Sequence, residues 1–197
     1  IDVVELSGNH LKDWSVAAFD YSLNLYEDAG IPYYTGGRNQ EEAREPYLVE
    51  INGNKLAFVG CNPAGPENVW ATDEISGVAN CEDDWLVQKV QELVRNGYLP
   101  IVTMQHFETY AMEPNLNQKT DFLNLSANGA VIVSGSQAHL PQGMAFVGDH
   151  FIHYGLGNLF FDQMDIPVVG TRREFLDRHV FYNGRYIQTE IYTAMLE

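Results

Sequence analysis

The chain has 197 residues, 45% of them apolar and 12% aromatic, a length and composition that fit one medium globular domain and argue against disorder. Eleven basic residues against 27 acidic ones give a net charge of −16, which argues against nucleic acid as a partner because phosphate binding depends on Lys and Arg displacing counterions. No uninterrupted apolar run reaches the roughly 18 residues of a membrane-spanning helix. Ile1 opens inside an apolar, strand-like run without an initiator Met, so residues upstream are expected to belong to the protein.

The run IDVVEL at 1–6 reads as a buried strand. The residues that follow predict a helix with Trp14, Ala17, Ala18, Tyr21 and Leu25 on one stripe and Gly30 at its end, by their 3.6-residue spacing. YLVEI and KLAFVG, joined through Asn52, Gly53 and Asn54, predict a hairpin with a tight turn. After a loop rich in Pro, Gly and Asn, DDWLVQKVQELVRNG predicts a second helix, with Leu86, Val90, Leu93 and Val94 facing inward and Gly97 ending it. PIVTM is the next strand. NLNQKTDFLNLSANG predicts a third helix through Leu116, Phe122 and Leu125, feeding the strand AVIVS. From Gly143 onward the pattern is all strand: GMAFV, DHFIHY, NLFFD, then RHVFY and RYIQTEIYTAM around Asn183-Gly184, a hairpin signal. Alternating β and α units followed by strands predict an α/β sandwich with a mixed sheet, in one domain over 1–197. Cys61 and Cys81 have no CxxC or zinc-type spacing; a disulfide and two buried thiols both remain open.

Three of these strands end alike. VVEL runs into Ser7-Gly8-Asn9-His10, IVTM into Gln105-His106, and VIVS into Gly135-Ser136-Gln137-Ala138-His139. If the strands are parallel neighbours, their carboxyl ends converge on one edge, where open α/β sheets place ligands. Gly135 would let the chain turn sharply there, and the side chains beyond it would be held rigidly toward a cleft. The plainer reading is that a His or Gln at a strand end caps backbone groups. Asn9 and His10, with Asp13 one turn on, could equally be a helix cap and a surface ion pair. His150, His153 and His179 lie in strand-like runs and read as structural or exposed, while the sequence leaves open which face His106 takes.

With these residues on the page, the chain resembles the bacterial capsule-synthesis CapA proteins, associated with poly-γ-glutamate capsules, which have a calcineurin-like metallophosphoesterase fold. DVVELSGNHLKDW is similar to that family's strand and NNH segment, and YYTGGRNQEEAREPYLVEINGNKLAFVG to its glycine turn and hairpin. IVTMQHFETYAMEPNLNQ, VIVSGSQAH and IHYGLGNLFFDQ are similar to its HWGxEY, GxHPH and YSLGNFvFD blocks. The resemblance implies a metallophosphoesterase-like αββα sandwich with mixed sheets, lacking N-terminal strands that would precede Ile1. It also implies a divalent metal (Mn, Mg, Ca or Zn), with Asn9 and His139 as retained ligands, and His10 as the group able to protonate a leaving group, steered by Asp13. Two further family histidines stand here as Gln105 and Gln137, and the upstream carboxylates would precede Ile1. Amide oxygens are harder, weaker donors than imidazole, so one metal position is expected to be weakened or lost, with Asn9, Gln105 and Gln137 binding substrate instead.

Two functions follow from the resemblance. The first is a metal-dependent, phosphoesterase-like hydrolase acting on an envelope polymer or a phosphate ester; it is preferred because His10, Asp13 and His139 occur together. The second is a non-catalytic module that grips a polymer for synthesis or export, with Trp14, Phe107 and Tyr110 as stacking surfaces. The resemblance also implies an extracytoplasmic location, with any membrane attachment through an N-terminal anchor.

Overall fold

The computed structural model describes residues 1–161 and 168–196. In chain order the elements are β1 (Val4–Glu5), α1 (Val16–Ala29), β2 (Tyr33–Tyr34), β3 (Gly36–Gly37), α2 (Gln40–Ala43), β4 (Tyr47–Ile51), β5 (Asn54–Cys61), β6 (Gly77–Val78), α3 (Trp85–Arg95), β7 (Leu99–Thr109), α4 (Leu116–Ala127), β8 (Ile132–Ala138), β9 (Met144–Val147), β10 (His150–His153), β11 (Arg173–Tyr182) and β12 (Arg185–Met195). Six strands form one sheet in the order β4-β5-β7-β8-β10-β9. Its four inner strands run parallel, and β4 and β9 are antiparallel edges. This is the mixed sheet predicted from the sequence.

Strand alternation sorts the inner strands into two faces. Val59, Cys61, Val102, Met104, Val133 and Ile152 pack under Leu86, Val90, Leu93, Phe122 and Leu125 of α3 and α4. Leu56, Phe58, Leu99, Ile101, Ile132 and Phe151 face the other way, toward Phe181 and Tyr186 of the β11–β12 hairpin. That second face is also covered by the parallel pair β1–β2: the Tyr34 ring lies 5.8 Å from Phe58 and its hydroxyl accepts a hydrogen bond from Thr103. Leu6, with Val4 and Tyr33, meets Phe19 and Leu23 of α1 on the outer side. The layers thus run α, β, β, α, as the family resemblance implied.

Both hairpin turns follow from Asn-Gly pairs. Asn52 and Gly53, and Asn183 and Gly184, all adopt positive φ, the geometry of the tight turn whose twist matches the flanking strands. The helices are less fully legible. α1 begins at Val16, capped by the Ser15 hydroxyl accepting from Ala18 N–H, and buries Phe19 and Leu23. The predicted stripe through Trp14, Tyr21 and Leu25 is exposed instead; the helix offers two apolar stripes, and packing against Leu6 selects the other. Val94 and Leu116 also lie on exposed positions, while Leu86, Val90, Leu93, Phe122 and Leu125 are buried as predicted. Gln118 completes the inner face of α4 by donating to Tyr154 O at 2.7 Å. Of the predicted strand NLFFD, Leu159 and Phe160 form a bend and Asn158 and Phe161 are irregular, and Asp162 lies outside the described residues.

Gly135 has a different role from the predicted turn. β8 continues through it to Ala138, and a Cβ there would strike the Tyr154 carbonyl and the Phe122 ring. It is a point of close approach, which only glycine permits. Cys61 and Cys81 form a disulfide with Cα atoms 5.3 Å apart, tying the exit of β5 to the segment before α3. Closing a loop of this size stabilises a fold by about 3 kcal/mol.

Candidate functional site

The exits of β1, β5 and β7 are knitted together by amide side chains. Asn62, fully buried just past β5, donates through Nδ2 to Ser7 O at 2.9 Å and accepts from the N–H groups of Ala64 and Gly65. Gln105, buried on β7, accepts through Oε1 from Asn9 N–H at 3.1 Å. Two neighbouring strands thus hold one loop, 7–10, from beneath. Lys12 pins its far side by donating to Ser76 O at 2.8 Å, and partial burial pushes the Lys12 ammonium down. The chain then passes through successive turns, Leu11 N–H to Gly8 O and Asp13 N–H to His10 O, before α1 starts. Asn9 and His10 therefore sit on a braced turn, not on the first turn of a helix as the sequence suggested.

His10 Nδ1 and Asp13 Oδ2 are 2.8 Å apart, and both side chains are exposed. The Asn9 side-chain amide makes no hydrogen bond to the described residues. Beneath the loop, burial pushes the Glu5 carboxyl up, opposed by hydrogen bonds from Ser7 and Thr103. Neighbouring Tyr34 is raised in turn, by its own burial and then by Glu5.

His139 belongs to a second cluster. On the paired strands Gln105 is level with Ser136, and Thr109 with Ala138, so His139 lies three residues beyond the level of Gln105, about 10 Å along a strand. Between those levels His106, Phe107 and Glu108 oppose Gln137 alone, a bulge that holds Gln137 at φ 75°. Asn158 Nδ2 donates to Thr171 O at 2.9 Å and to His139 O at 3.5 Å. That fixes its Oδ1 as an acceptor, so His139 Nδ1, 2.9 Å away, carries a proton. Nε2 lies 3.2 Å from Glu108 Oε1, which also accepts from the Tyr110 hydroxyl. The ring is stacked between Tyr110 and Phe161, with centroids at 4.8 and 4.9 Å. No hydrogen bond among the described residues joins this cluster to Asn9, His10 or Gln105. Gln137 is half-buried, with no hydrogen bond to the described residues.

The sequence missed Asn62, Glu108, Asn158 and Phe161, whose partners are distant in the chain. Tyr110, expected as a stacking surface for polymer, is spent on His139. His106 turns to the helix face, where Nε2 meets Asp121 Oδ2 at 3.0 Å.

The profile of the family "Bacterial capsule synthesis protein PGA_cap" matches residues 1–163. The chain belongs to this family. Two curated relatives of this PGA_cap chain are the capsule biosynthesis protein CapA of Bacillus anthracis, 25% identical over 165 residues, and the PGA biosynthesis protein CapA of Bacillus subtilis (strain 168), 22% identical over 162. Each match takes in 82% of this chain but only 40% and 43% of the relative, so the chain spans less than half the length of the proteins it matches. A solved structure, of a hypothetical protein from Thermus thermophilus, covers 99% of this chain and 88% of its own at 13% identity and a TM-score of 0.48.

Among the described residues of this PGA_cap chain, no three His, Cys, Asp or Glu side chains converge to hold a metal ion. At the edge His139 Nε2 with Glu108 and His10 with Asp13 are each a pair of adjacent donors, neither of which supplies the three protein ligands of a catalytic zinc, and Gln105 Oε1 is already used by Asn9 N–H. The described donor set does not by itself fit a metal. What the edge offers is hydrogen bonding from Asn9 and proton transfer from the exposed His10–Asp13 pair.

Proposed function

We propose that this chain is a polymer-handling part of a capsule biosynthesis protein, engaging an amide-linked polymer such as poly-γ-glutamate at the 7–10 loop. The observation that carries the reading is the bracing of that loop by Asn62 and Gln105, which presents the free Asn9 amide on a rigid base. Bracing of this kind lowers the ordering cost of binding, and an amide with two donors and two acceptor lone pairs matches a peptide-like unit. The name of one curated relative, a PGA biosynthesis protein, supplies the polymer class. The disulfide supports an oxidising, extracytoplasmic setting. With a net charge of −16, binding a polyanion calls for divalent cations between the two.

A second reading, hydrolysis of the same polymer, is favoured by the His10–Asp13 pair at 2.8 Å, a general acid with its orienting carboxylate. One experiment separates the two. Titration with a γ-linked glutamate oligomer in the presence of calcium is expected to give binding that Asn9→Ala weakens about tenfold, the loss of one good hydrogen bond. His10→Ala is expected to leave affinity unchanged, with the oligomer length constant over time. Shortening of the oligomer by the wild type, abolished in His10→Ala, would replace binding with hydrolysis. Equal affinity in wild type and Asn9→Ala would remove the loop from either role.

A further inference from the structure

Just past His139, the chain turns through Pro141, Gln142 and Gly143 into β9, where a cavity of about 600 Å³ opens against the start of β11 and the end of β12. This is the size of a small-molecule site. Its walls are mainly hydrocarbon and thioether, from Met112, Met144, Met195 and Phe175. Unbranched Met side chains adapt to an alkyl or aryl guest.

Four polar side chains also line the cavity, Gln142, Arg173, Glu174 and Thr193, and two of them are nearly inaccessible: Gln142 at 2% and Glu174 at 4%. Gln142 Nε2 donates to Ala111 O at 3.0 Å, which orients the amide and leaves Oε1 as its spare atom. That Oε1 has no hydrogen-bond partner, and neither does Glu174 Oε2. No hydrogen bond joins Arg173 or Thr193 to either atom, and two buried acceptors without a donor are unfavourable until something supplies N–H or O–H groups. Burial accordingly pushes the Glu174 carboxyl up. A hydroxyl has one hydrogen to offer. A primary ammonium has three and cancels the carboxylate charge, and the acidic chain attracts cations to its surface.

We propose that this cavity binds an apolar molecule carrying a primary ammonium group, which donates to Glu174 and Gln142 while its hydrocarbon body lies along the methionines. The inference is independent of the polymer-binding role, because it uses neither the 7–10 loop nor His139.

The test is titration of the chain with n-octylamine, followed through the methyl signals of Met112, Met144 and Met195. Comparators are n-octanol, n-octanoate and tetramethylammonium. Octylamine is expected to shift those signals with a dissociation constant of about 1 mM or tighter, the range open to so small a ligand. Octanol should bind about tenfold more weakly, and octanoate and tetramethylammonium should leave the methyls unmoved. Glu174→Gln is expected to weaken octylamine about tenfold without changing octanol. Ala194→Phe, which fills the cavity, should abolish both, with the disulfide-linked fold checked by circular dichroism. Octylamine binding that matches octanol, survives Glu174→Gln intact, or leaves all three methyls unshifted would overturn the proposal.

Discussion

Two small strand pairs dock on the same face of the central sheet and solve burial in opposite ways. The β11–β12 hairpin brings Asp177 to within 2.7 Å of His153 Nδ1, both deeply buried, and sets His179 beside Phe151. Asp177 and His179 of the hairpin are paired, His179 through Nδ1 with the Thr189 hydroxyl at 2.7 Å, whereas Glu174 at its start keeps an unpartnered Oε2. The β1–β2 pair brings Glu5 and Tyr34 to the sheet, where only hydrogen bonds from Ser7 and Thr103 offset the burial of the carboxyl. No cation meets Glu5 among the described residues. The hairpin is built for cohesion, and the β1–β2 unit accepts a poorly compensated acid beneath the loop that carries Asn9 and His10. A fold tolerates such a cost where a rigid site is needed above it.

The largest way to break this contrast is Asp177→Ala. Removing the carboxylate leaves the buried His153 Nδ1 without its partner and costs roughly 1–3 kcal/mol; chemical denaturation should show that loss, with amide-exchange protection falling first across 173–195. Similar protection there in wild type and variant would mean that the hairpin does not depend on the pair.

Acidity sharpens the comparison because the two units respond with opposite sign. Glu5 is raised in the folded state, so its contribution is fully present below the unfolded carboxyl range and is lost as pH rises through its folded pKa. Glu5→Gln should therefore raise the denaturation midpoint at pH 7 and have no effect near pH 3. His179 is lowered, by burial first and then by His153, against the pull of Asp177. Its contribution is present above the unfolded pKa of about 6.5 and is lost as pH falls through the folded one. His179→Gln should flatten the loss of stability between pH 7 and 5, read from midpoints at the two pH values.

The smallest expected effect is at Gln137, held at φ 75°. If its side chain is only carried by the bulge, Gln137→Gly relieves a left-handed backbone and gains no more than about 1 kcal/mol. A clear loss of stability would give the side chain a role that its surroundings do not display.

Legibility in the sequence follows the range of the interactions. The Asn-Gly turns, the inner face of α3 and the meeting of Asn9 with Gln105 at one edge could be read, because local turn chemistry or strand-end placement decides them. The phase of α1 could not, since two stripes fit one period and contact with Leu6 chooses between them. The strand-end pattern groups His139 with Asn9 and Gln105; in the structure it follows β8 directly, past the bulge at residues 106–108, and Asn158, nineteen residues on, and Glu108 take both ring nitrogens. Nothing in VIVSGSQAH foretells either partner.

The braced loop is the centre of the account, and side-chain amide NMR reports on it directly. On addition of a γ-linked glutamate oligomer with calcium, the Asn9 Nδ2 hydrogens should shift and exchange more slowly with solvent. The backbone N–H of Asn9, held by Gln105, should move little, and the His139 ring should keep its Nδ1 proton. Saturable binding that leaves the Asn9 amide unperturbed would contradict the placement of the polymer at this loop.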